Sequence, residues 1–336
     1  MPTPETRLAN TFLDLSGYAF TGKHAVIDLM REMRGYHVEH FAFEFALLRI
    51  QGGIHDLHAA LVEHWSPIRS DAAIRRFRTL VRRLGSSNSI YSPSSWSEAV
   101  GWNYDEHFQR RFFALSDEYV RRLVTAQWSA AWPYAMADLG RAELFTRKLL
   151  STIGINRARA FEMVLAAPDE FVAASRDYLQ ALLTSNVSPD TRTVVLHNAF
   201  EAFDPARSLQ YFDDARAIVV DRDPRDNYVQ GLSYKPTAVD VETFITRYRL
   251  YRRKTNYARH ARVLRLTFED LVLDYDMTLK RVLAFLGEPT DTHIRPRAHF
   301  DPAVSKRNVG VWRHYGKPNE IDRIAAALPE FCDART

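Results

Sequence analysis

Cysteine is almost absent from the chain: Cys332 is the only one among 336 residues. A single thiol excludes a disulfide within the chain and a metal site built from several cysteines. No stretch approaches the roughly 18 consecutive apolar residues that a membrane-spanning helix needs. The polar first residues, MPTPETRLANT, also lack the apolar segment of a signal peptide. These absences predict a protein of the reducing cytoplasm without a membrane span, for which peripheral membrane contact stays open.

The charge of the chain is only mildly basic. Lysine and arginine number 45 against 41 aspartates and glutamates, which gives a net charge of +4. Such an excess favours anionic ligands but does not indicate nucleic acid as a partner. It is concentrated in residues 75–84 and 248–266. These segments form either solvated helix faces or a positive rim around an acidic substrate.

The amino-terminal segment has the pattern of a strand, a loop and a helix. Residues 11–16 (TFLDLS) form a short apolar run that Gly17 ends, and the loop GYAFTGK follows. Apolar residues then recur at helical spacing, at Val26, Leu29, Met30 and Met33. A second strand is predicted within residues 37–47 because Phe41, Phe43 and Phe45 alternate onto one face.

Residues 54–190 have a different composition, rich in arginine, alanine, leucine and aromatic residues at helical spacing. They predict four to six helices, interrupted by a loop at residues 85–95 and by Pro133 and Pro168. We interpret them as a helical insertion that covers one end of the sheet within a single domain spanning residues 1–336. Its tryptophans could stack on sugars or pack in a core. We favour the core role for Trp96, Trp102, Trp128 and Trp132.

Short β-branched runs separated by helical segments return in the last third of the chain. The runs are residues 193–196 (TVVL), 217–221 (AIVVD) and 262–268 (RVLRLTF). A helical stripe follows and Gly287 stands where that helix should end, the stripe being Leu279, Val282, Leu283 and Leu286. Such alternation is typical of a parallel sheet that is buried on both faces. The predicted fold class is therefore α/β, with a parallel central sheet flanked by helices and a large helical insertion.

The loop after the first predicted strand contains the spacing G-x-x-x-x-G-K, from Gly17 to Gly22 and Lys23. Glycines let backbone N–H groups turn toward a phosphate, the helix N-terminus adds partial positive charge, and the lysine reaches a phosphate oxygen. His24 occupies the position where nucleoside triphosphatases have the Ser or Thr that binds Mg²⁺. The pattern therefore predicts nucleotide chemistry other than metal-dependent phosphoryl transfer. The alternative is a glycine turn with a chance lysine.

Residues 217–234 (AIVVDRDPRDNYVQGLSY) place a charged turn at the carboxyl end of a predicted strand, where open α/β sheets bind ligands. Arg222 in this turn offers a planar guanidinium that suits a phosphate. The alternative is a surface turn of salt bridges, formed by Arg222, Asp223, Arg225 and Asp226.

Together these motifs resemble the sulfotransferase family, whose members use 3′-phosphoadenosine 5′-phosphosulfate (PAPS). Residues 264–287 resemble the family's strand, YEDL turn and helix, and residues 305–315 (SKRNVGVWRHY) resemble its carboxyl-terminal phosphate-binding loop. The resemblance is closer to bacterial and carbohydrate-type members. It implies a P-loop-like sulfotransferase fold in which the insertion is a lid on the acceptor side. It also implies transfer of a sulfuryl group from PAPS to an acceptor hydroxyl without a metal, which leaves 3′-phosphoadenosine 5′-phosphate (PAP).

The resemblance implies roles for the residues of the first loop. The loop would cradle the 5′-phosphosulfate through Tyr18, Ala19, Phe20, Thr21, Gly22, Lys23 and His24. Lys23 would also neutralise charge on the bridging oxygen as the sulfuryl group leaves.

The same resemblance implies a second set of residues around the 3′-phosphate and the adenine. Arg222 would bind the 3′-phosphate. The tail loop, residues 305–315, would close over the nucleotide through Lys306, Arg307 and Asn308. Gln230 stands where the family has a serine, and Ser233 lies nearby. Phe268 replaces the tyrosine of the YED turn and keeps an aromatic wall for adenine.

The acceptor hydroxyl needs a general base, which contributes roughly 10²–10⁴ in rate. His197 follows TVVL, near the place where some family members have a Lys-Thr-His segment. Glu44 comes from the predicted second strand, a region from which carbohydrate-directed members use a glutamate. Glu44 and His197 are equal candidates, with Glu39 and His40 as weaker ones. The expected acceptor is a hydroxyl of a glycan or glycolipid.

Two other functions compete with sulfuryl transfer. A P-loop kinase would use the same glycine loop and Asp221 at the end of AIVVD, but His24 removes its Mg²⁺ ligand. A non-catalytic protein would bind nucleotides or polyanions through the basic helices. Activity in the presence of a chelator distinguishes the kinase from the sulfotransferase.

Overall fold

The computed structural model describes most of the chain, namely residues 10–40, 43–86, 103–130, 139–154, 161–234 and 238–336. The chain forms two compact units. One contains Met1–Ala46 and Val187–Thr336, and the other contains Leu47–Asn186. The second unit overlaps residues 54–190. The single domain, the insertion at residues 54–190 and its role as an acceptor-side lid stay predictions.

The β-strands, in chain order, are β1 (Thr11–Gly17), β2 (Tyr36–Val38), β3 (Val124–Ala130), β4 (Phe161–Ala166), β5 (Thr193–His197), β6 (Ala215–Asp221) and β7 (Val263–Thr267). In the first unit, five of these strands form a sheet in the order β2-β5-β1-β6-β7. All of its pairs are parallel. The predicted parallel central sheet is therefore confirmed. In the second unit, β3 and β4 form an antiparallel pair.

The α-helices, in chain order, are α1 (Lys23–Met30), α2 (Ile54–His58), α3 (Pro67–Gly85), α4 (Tyr104–His107), α5 (Phe112–Leu123), α6 (Arg141–Thr152), α7 (Phe171–Leu183), α8 (Ala206–Leu209), α9 (Pro224–Ser233), α10 (Val241–Lys254), α11 (Phe268–Leu273), α12 (Tyr275–Leu286), α13 (Pro302–Ser305) and α14 (Pro318–Ala327). A π-helical segment, Ala59–Glu63, continues α2. Within the described ranges, no helix combines the length and the apolar character needed to cross a membrane.

The central strand β1 has two chemically different faces because side chains alternate along a strand. Leu13 and Leu15 belong to a buried apolar cluster that also contains residues of α1, β6 and α12. Complete burial of such a leucine contributes about 1.5–3 kcal/mol. Asp14 and Ser16, at the alternate positions, are equally buried. Their hydrogen bonds hold the turn that follows β5.

The predicted strand within residues 37–47 is wrong in its position. The edge strand β2 ends at Val38, and residues 43–46 are not extended in a strand, while Phe41 lies outside the described residues. The N–H of Phe45 instead donates to the carbonyl of His197 at 3.2 Å, and the Phe45 ring is buried. The burial of Phe45 therefore reflects packing of a loop against the sheet rather than strand pairing.

The insertion is not purely helical, because it contains the pair β3 and β4 that the sequence analysis missed. The sequence of β3, VTAQWSA, has few β-branched residues and follows α5 directly, so its strand conformation depends on pairing with β4. Trp128 of β3 is 47% exposed, so its expected place in a core is wrong. Several other predicted features lie outside the described residues: Trp96, Trp102, Trp132, Pro133 and most of the loop at 85–95.

Candidate active site

The loop between β1 and α1 has an unusual backbone. Ala19 and Phe20 have φ values of 68° and 53°, and Gly22 has a φ of 80°. Left-handed conformations are uncommon for residues other than glycine and cluster at functional sites. A Cβ at Gly22 would lie 2.5 Å from Cδ2 of Phe268. Glycine is therefore needed at position 22, directly before α1. The first N–H groups of this helix lack helical partners.

The polar side chains of this loop differ in their exposure. Thr21 is buried, and its Oγ1 would collide with a Cβ at Gly17. His24 is exposed on α1. The two glycines of the motif thus make room for neighbouring side chains, Gly17 for Thr21 and Gly22 for Phe268.

Lys23 is the first residue of α1 and lies beside a carboxylate. Its Nζ is 2.8 Å from Oε1 of Glu44, and the two side chains are 12% and 29% exposed. The same oxygen accepts a hydrogen bond from Nδ2 of Asn198 at 2.5 Å. The structure therefore brings together the predicted lysine and one of the two predicted bases. It also adds Asn198, which the sequence analysis did not identify.

His197, the other base candidate, is the last residue of β5 and is 2% exposed. Neither ring nitrogen has a hydrogen-bond partner among the described residues. Burial, helped by the charge of Lys23, lowers the pKa of His197 to about 3. The imidazole is therefore neutral near pH 7 and is withdrawn from solvent.

Arg222 follows β6 and joins three segments of the chain. Its Nη1 donates to the carbonyl of Phe20 at 3.4 Å, and its Nη2 donates to the carbonyl of Asn308. The guanidinium carbon lies 4.9 Å from the centroid of the Phe268 ring. The residue is 5% exposed, and its Nε has no partner in the described part of the chain. The first loop, the charged turn and the tail loop therefore meet at one arginine.

Two buried carboxyl groups, those of Asp226 and Glu269, lie close to Arg222 and its turn. Oδ2 of Asp226 lies 3.8 Å from Nη2 of Arg222, and Glu269 accepts a hydrogen bond from the N–H of Asp223 at 3.1 Å. Burial raises the pKa of Glu269 to about 7 and also raises the pKa of Asp226. Electrostatic interactions between these buried charged side chains are strong because the protein interior has a low dielectric constant. The start of α11, at residues 268–270, thereby holds the charged turn at residues 222–226 in place.

Asp226 also holds the tail loop. Its Oδ2 accepts a hydrogen bond from the N–H of Gly310 at 2.7 Å, and its Oδ1 accepts one from the N–H of Trp312 at 3.1 Å. The loop presents two exposed cations that have no acidic partner among the described residues, Lys306 and Arg307.

Three other predicted ligands take supporting positions. Tyr18 is buried, and its hydroxyl accepts a hydrogen bond from Nη1 of Arg265 at 2.9 Å. The ring of Phe268 is buried beneath the first loop. Gln230 lies on α9, with its Nε2 3.4 Å from Oγ of Ser233. Their contacts to a nucleotide stay predictions. Across the described residues, no three His, Cys, Asp or Glu side chains form a group that would hold a metal ion.

Comparison with known proteins connects this geometry to a family. The model of the Sulfotransferase family matches residues 79–292, which is more than half of the chain. No curated protein matches the chain.

Several solved structures are similar to the chain. One is the sulfotransferase domain from the Synechococcus PCC 7002 olefin synthase, at 13% identity and a TM-score of 0.40, covering 95% of this chain and 94% of that one. A second is the sulfotransferase domain from the curacin biosynthetic pathway, at 12% identity and a TM-score of 0.40, with 96% and 99% covered. A third is sulfotransferase STF9 from Mycobacterium avium, at 14% identity and a TM-score of 0.38, with 97% and 77% covered. On the match to the family model, the chain belongs to the sulfotransferase family.

Proposed function

We propose that this sulfotransferase takes its sulfuryl group from PAPS and transfers it to an acceptor hydroxyl. One observation carries the proposal: Nζ of Lys23, at the start of α1, is 2.8 Å from a carboxylate oxygen of Glu44. A cation that stabilises the leaving phosphate and a base that accepts a proton are therefore adjacent at the end of the glycine loop. Sulfuryl transfer needs these two groups in one place, because catalysis rests on positioning and on stabilising charge.

The choice of PAPS rests on the positive groups around Arg222. A donor with phosphates at both ends of the adenosine needs cations at two places. The N–H groups of the first loop and Lys23 suit the 5′-phosphosulfate. Arg222 and the exposed cations of the tail loop, Lys306 and Arg307, suit the 3′-phosphate.

The chemical step follows from these positions. Glu44 accepts the proton of the acceptor hydroxyl as that oxygen forms the new bond to sulfur. The bond between sulfur and the bridging oxygen breaks, and its electron pair stays on the 5′-phosphate. Lys23 stabilises the negative charge that develops on this oxygen. The products are a sulfate ester, PAP and a protonated Glu44, which returns its proton to water.

We place the base at Glu44 rather than His197. Glu44 is partly exposed and contacts Lys23, whereas the ring of His197 is buried. A general base must reach the proton that it removes, directly or through one water molecule. The imidazole is also a very weak base in this position, because burial lowers the pKa of His197 to about 3.

The acceptor proposed from the family resemblance is a hydroxyl of a glycan or glycolipid. The decisive experiment incubates the chain with labelled PAPS, EDTA and a panel of sugars, glycolipids, phenols and simple alcohols. We expect a labelled sulfate ester with a glycan or glycolipid acceptor. Transfer to phenols alone would contradict the acceptor class. Labelling from ATP that requires Mg²⁺, with none from PAPS, would contradict the proposed function and indicate a kinase.

A pair of matched amide variants tests the base. Glu44→Gln should reduce kcat about 10²–10⁴-fold, the usual contribution of a general base. His197→Gln should reduce kcat less than about 10-fold, because the residue does not reach the reacting atoms. The reverse order of effects would contradict the assignment and place the base at His197.

A further inference from the structure

Glu44 has a second hydrogen-bond partner whose role the proposed chemistry does not explain. Oε1 of Glu44 accepts hydrogen bonds from Nζ of Lys23 at 2.8 Å and from Nδ2 of Asn198 at 2.5 Å. Asn198 directly follows β5 and has a φ of 47°, in the left-handed region. Asparagine tolerates this conformation better than most residues because its short side chain bonds locally.

The turn that carries Asn198 is held by the polar face of β1. Oδ1 of Asp14 accepts a hydrogen bond from the N–H of Ala199 at 2.8 Å. Oγ of Ser16, which has one hydrogen to donate, lies 3.0 Å from the carbonyl of Phe200 and also within hydrogen-bond distance of the Asp14 carboxylate. Asp14 and Ser16 are fully buried, so water does not compete for these bonds. The amide of Asn198 therefore starts from a rigid part of the sheet.

Lys23 and Asn198, which both contact Glu44, differ in what else they must do. Lys23 has a long flexible side chain and, under the proposed function, turns toward the anionic donor when the donor binds. A lysine that serves the leaving oxygen no longer holds the carboxylate. Asn198 has no such competing task in the proposed step, and its short side chain on a pinned turn keeps its direction.

On the basis of the proposed function, we propose that Asn198 is a positioning residue that holds the carboxylate of Glu44 at the acceptor once Lys23 has turned to the donor. The amide donates to the ionised carboxylate and thereby favours the form that accepts a proton. Asp14 and Ser16 act one step further away, because they fix the turn. Asn198 lies 154 residues from Glu44, and Ala199 lies 185 residues from Asp14, so only the fold brings them together.

Two substitutions separate the amide from the backbone. Asn198→Gly keeps the left-handed conformation without strain and removes the amide. Asn198→Asp keeps the size and the tolerance for this conformation but places a second carboxylate beside Glu44. The measurements are kcat, the KM for PAPS, the pH profile of kcat, and PAP binding by calorimetry.

We expect Asn198→Gly to lower kcat about 10- to 100-fold, as for loss of a hydrogen bond to a charged group. The KM for PAPS and the affinity for PAP should change less than about 3-fold, because the amide does not contact the nucleotide. The acidic limb of the kcat profile should move to higher pH in Asn198→Gly and further in Asn198→Asp, since each change favours protonated Glu44.

Wild-type kcat and an unmoved acidic limb in either folded variant would overturn the inference and leave the proposed function intact. An equal loss of PAP affinity and of kcat would also overturn it, because it would show a general structural role. A different result would contradict the proposed function itself: a wild-type chain that neither binds PAP nor transfers sulfuryl groups from PAPS.

Discussion

The buried carboxylate of Asp226 controls the tail loop and offers a sharp test of the nucleotide site. Its two oxygens accept the N–H groups of Gly310 at 2.7 Å and of Trp312 at 3.1 Å, and its side chain is fully buried. Asp226→Asn keeps the shape of the side chain. It replaces one acceptor oxygen with an NH₂ group that faces a backbone N–H donor.

The expected loss follows from these two bonds. A hydrogen bond to a charged acceptor contributes about 1.5–3 kcal/mol, and a neutral one about 0.5–1.5 kcal/mol. The asparagine keeps one neutral bond and leaves one buried N–H without an acceptor. Burial raises the pKa of Asp226, so removal of the charge relieves part of its desolvation and offsets some of the loss. A net loss of about 2 kcal/mol, or about 30-fold in the docking equilibrium of the loop, is expected.

The assay compares two nucleotides by calorimetry in EDTA. Asp226→Asn should weaken PAP binding about 10- to 30-fold but adenosine 5′-phosphate binding less than about 3-fold, because only PAP carries the 3′-phosphate assigned to the tail loop. Asp240→Asn is the matched control: Asp240 accepts the N–H of Thr243 at 3.0 Å at the exposed N-cap of α10. Asparagine is an equally good N-cap, so PAP binding should not change. Equally weakened binding of PAP and adenosine 5′-phosphate, or unchanged binding of both, would refute the role of Asp226 in holding the tail loop at the 3′-phosphate.

Three further predictions concern the loop, the arginine and the carboxylate beneath it. Gly22→Ala should lower the free energy of unfolding in urea by at least about 1 kcal/mol more than Gly287→Ala. Both glycines have positive φ, but only the first would press a Cβ onto Phe268. Arg222→Lys should weaken PAP binding about 10-fold or more in calorimetry, since a lysine cannot replace the bonds to two carbonyls. Burial raises the pKa of Glu269 to about 7, so the folded state binds its proton more tightly than the unfolded state. The free energy of unfolding should therefore fall as the pH rises from about 4 to about 7, and Glu269→Gln should reduce this fall in urea titrations.

Each of these predictions has a contradicting result. Equal destabilisation by Gly22→Ala and Gly287→Ala would show that the Phe268 contact is relaxed easily. Unchanged PAP affinity in Arg222→Lys would remove Arg222 from the nucleotide site. An identical pH dependence of unfolding in the wild type and Glu269→Gln would show that Glu269 does not titrate differently in the folded state.

Much of the fold was predictable because its signals are local. The β-branched runs at residues 193–196 and 217–221 coincide with β5 and β6, apart from one or two residues at their ends. Gly287 ends α12 in the left-handed conformation, as its position after a helical stripe predicted. Parallel pairing followed from the alternation of strands and helices. The family motifs also named the loops that meet at Arg222.

The remainder depends on contacts between distant parts of the chain. The alternating phenylalanines predicted a strand, but Phe45 lies in a loop that packs on the sheet, and its ring is buried there. Asn198 lies 154 residues from Glu44, and Gly310 lies 84 residues from Asp226. No local pattern reveals such hydrogen bonds. The sequence could not show that the imidazole of His197 is buried either, because its burial depends on the folded chain.

The proposed function depends most directly on one binding event. In it, Lys23, Arg222 and the tail loop engage a single adenine nucleotide that has phosphates at both its 3′ and 5′ positions. Calorimetric titration of PAP into the chain in EDTA tests this event. We predict one PAP bound per chain, with affinity reduced at least about 10-fold in Lys23→Ala and in Arg307→Ala alike. Absence of binding heat at millimolar PAP, or undiminished binding in both variants, would contradict it.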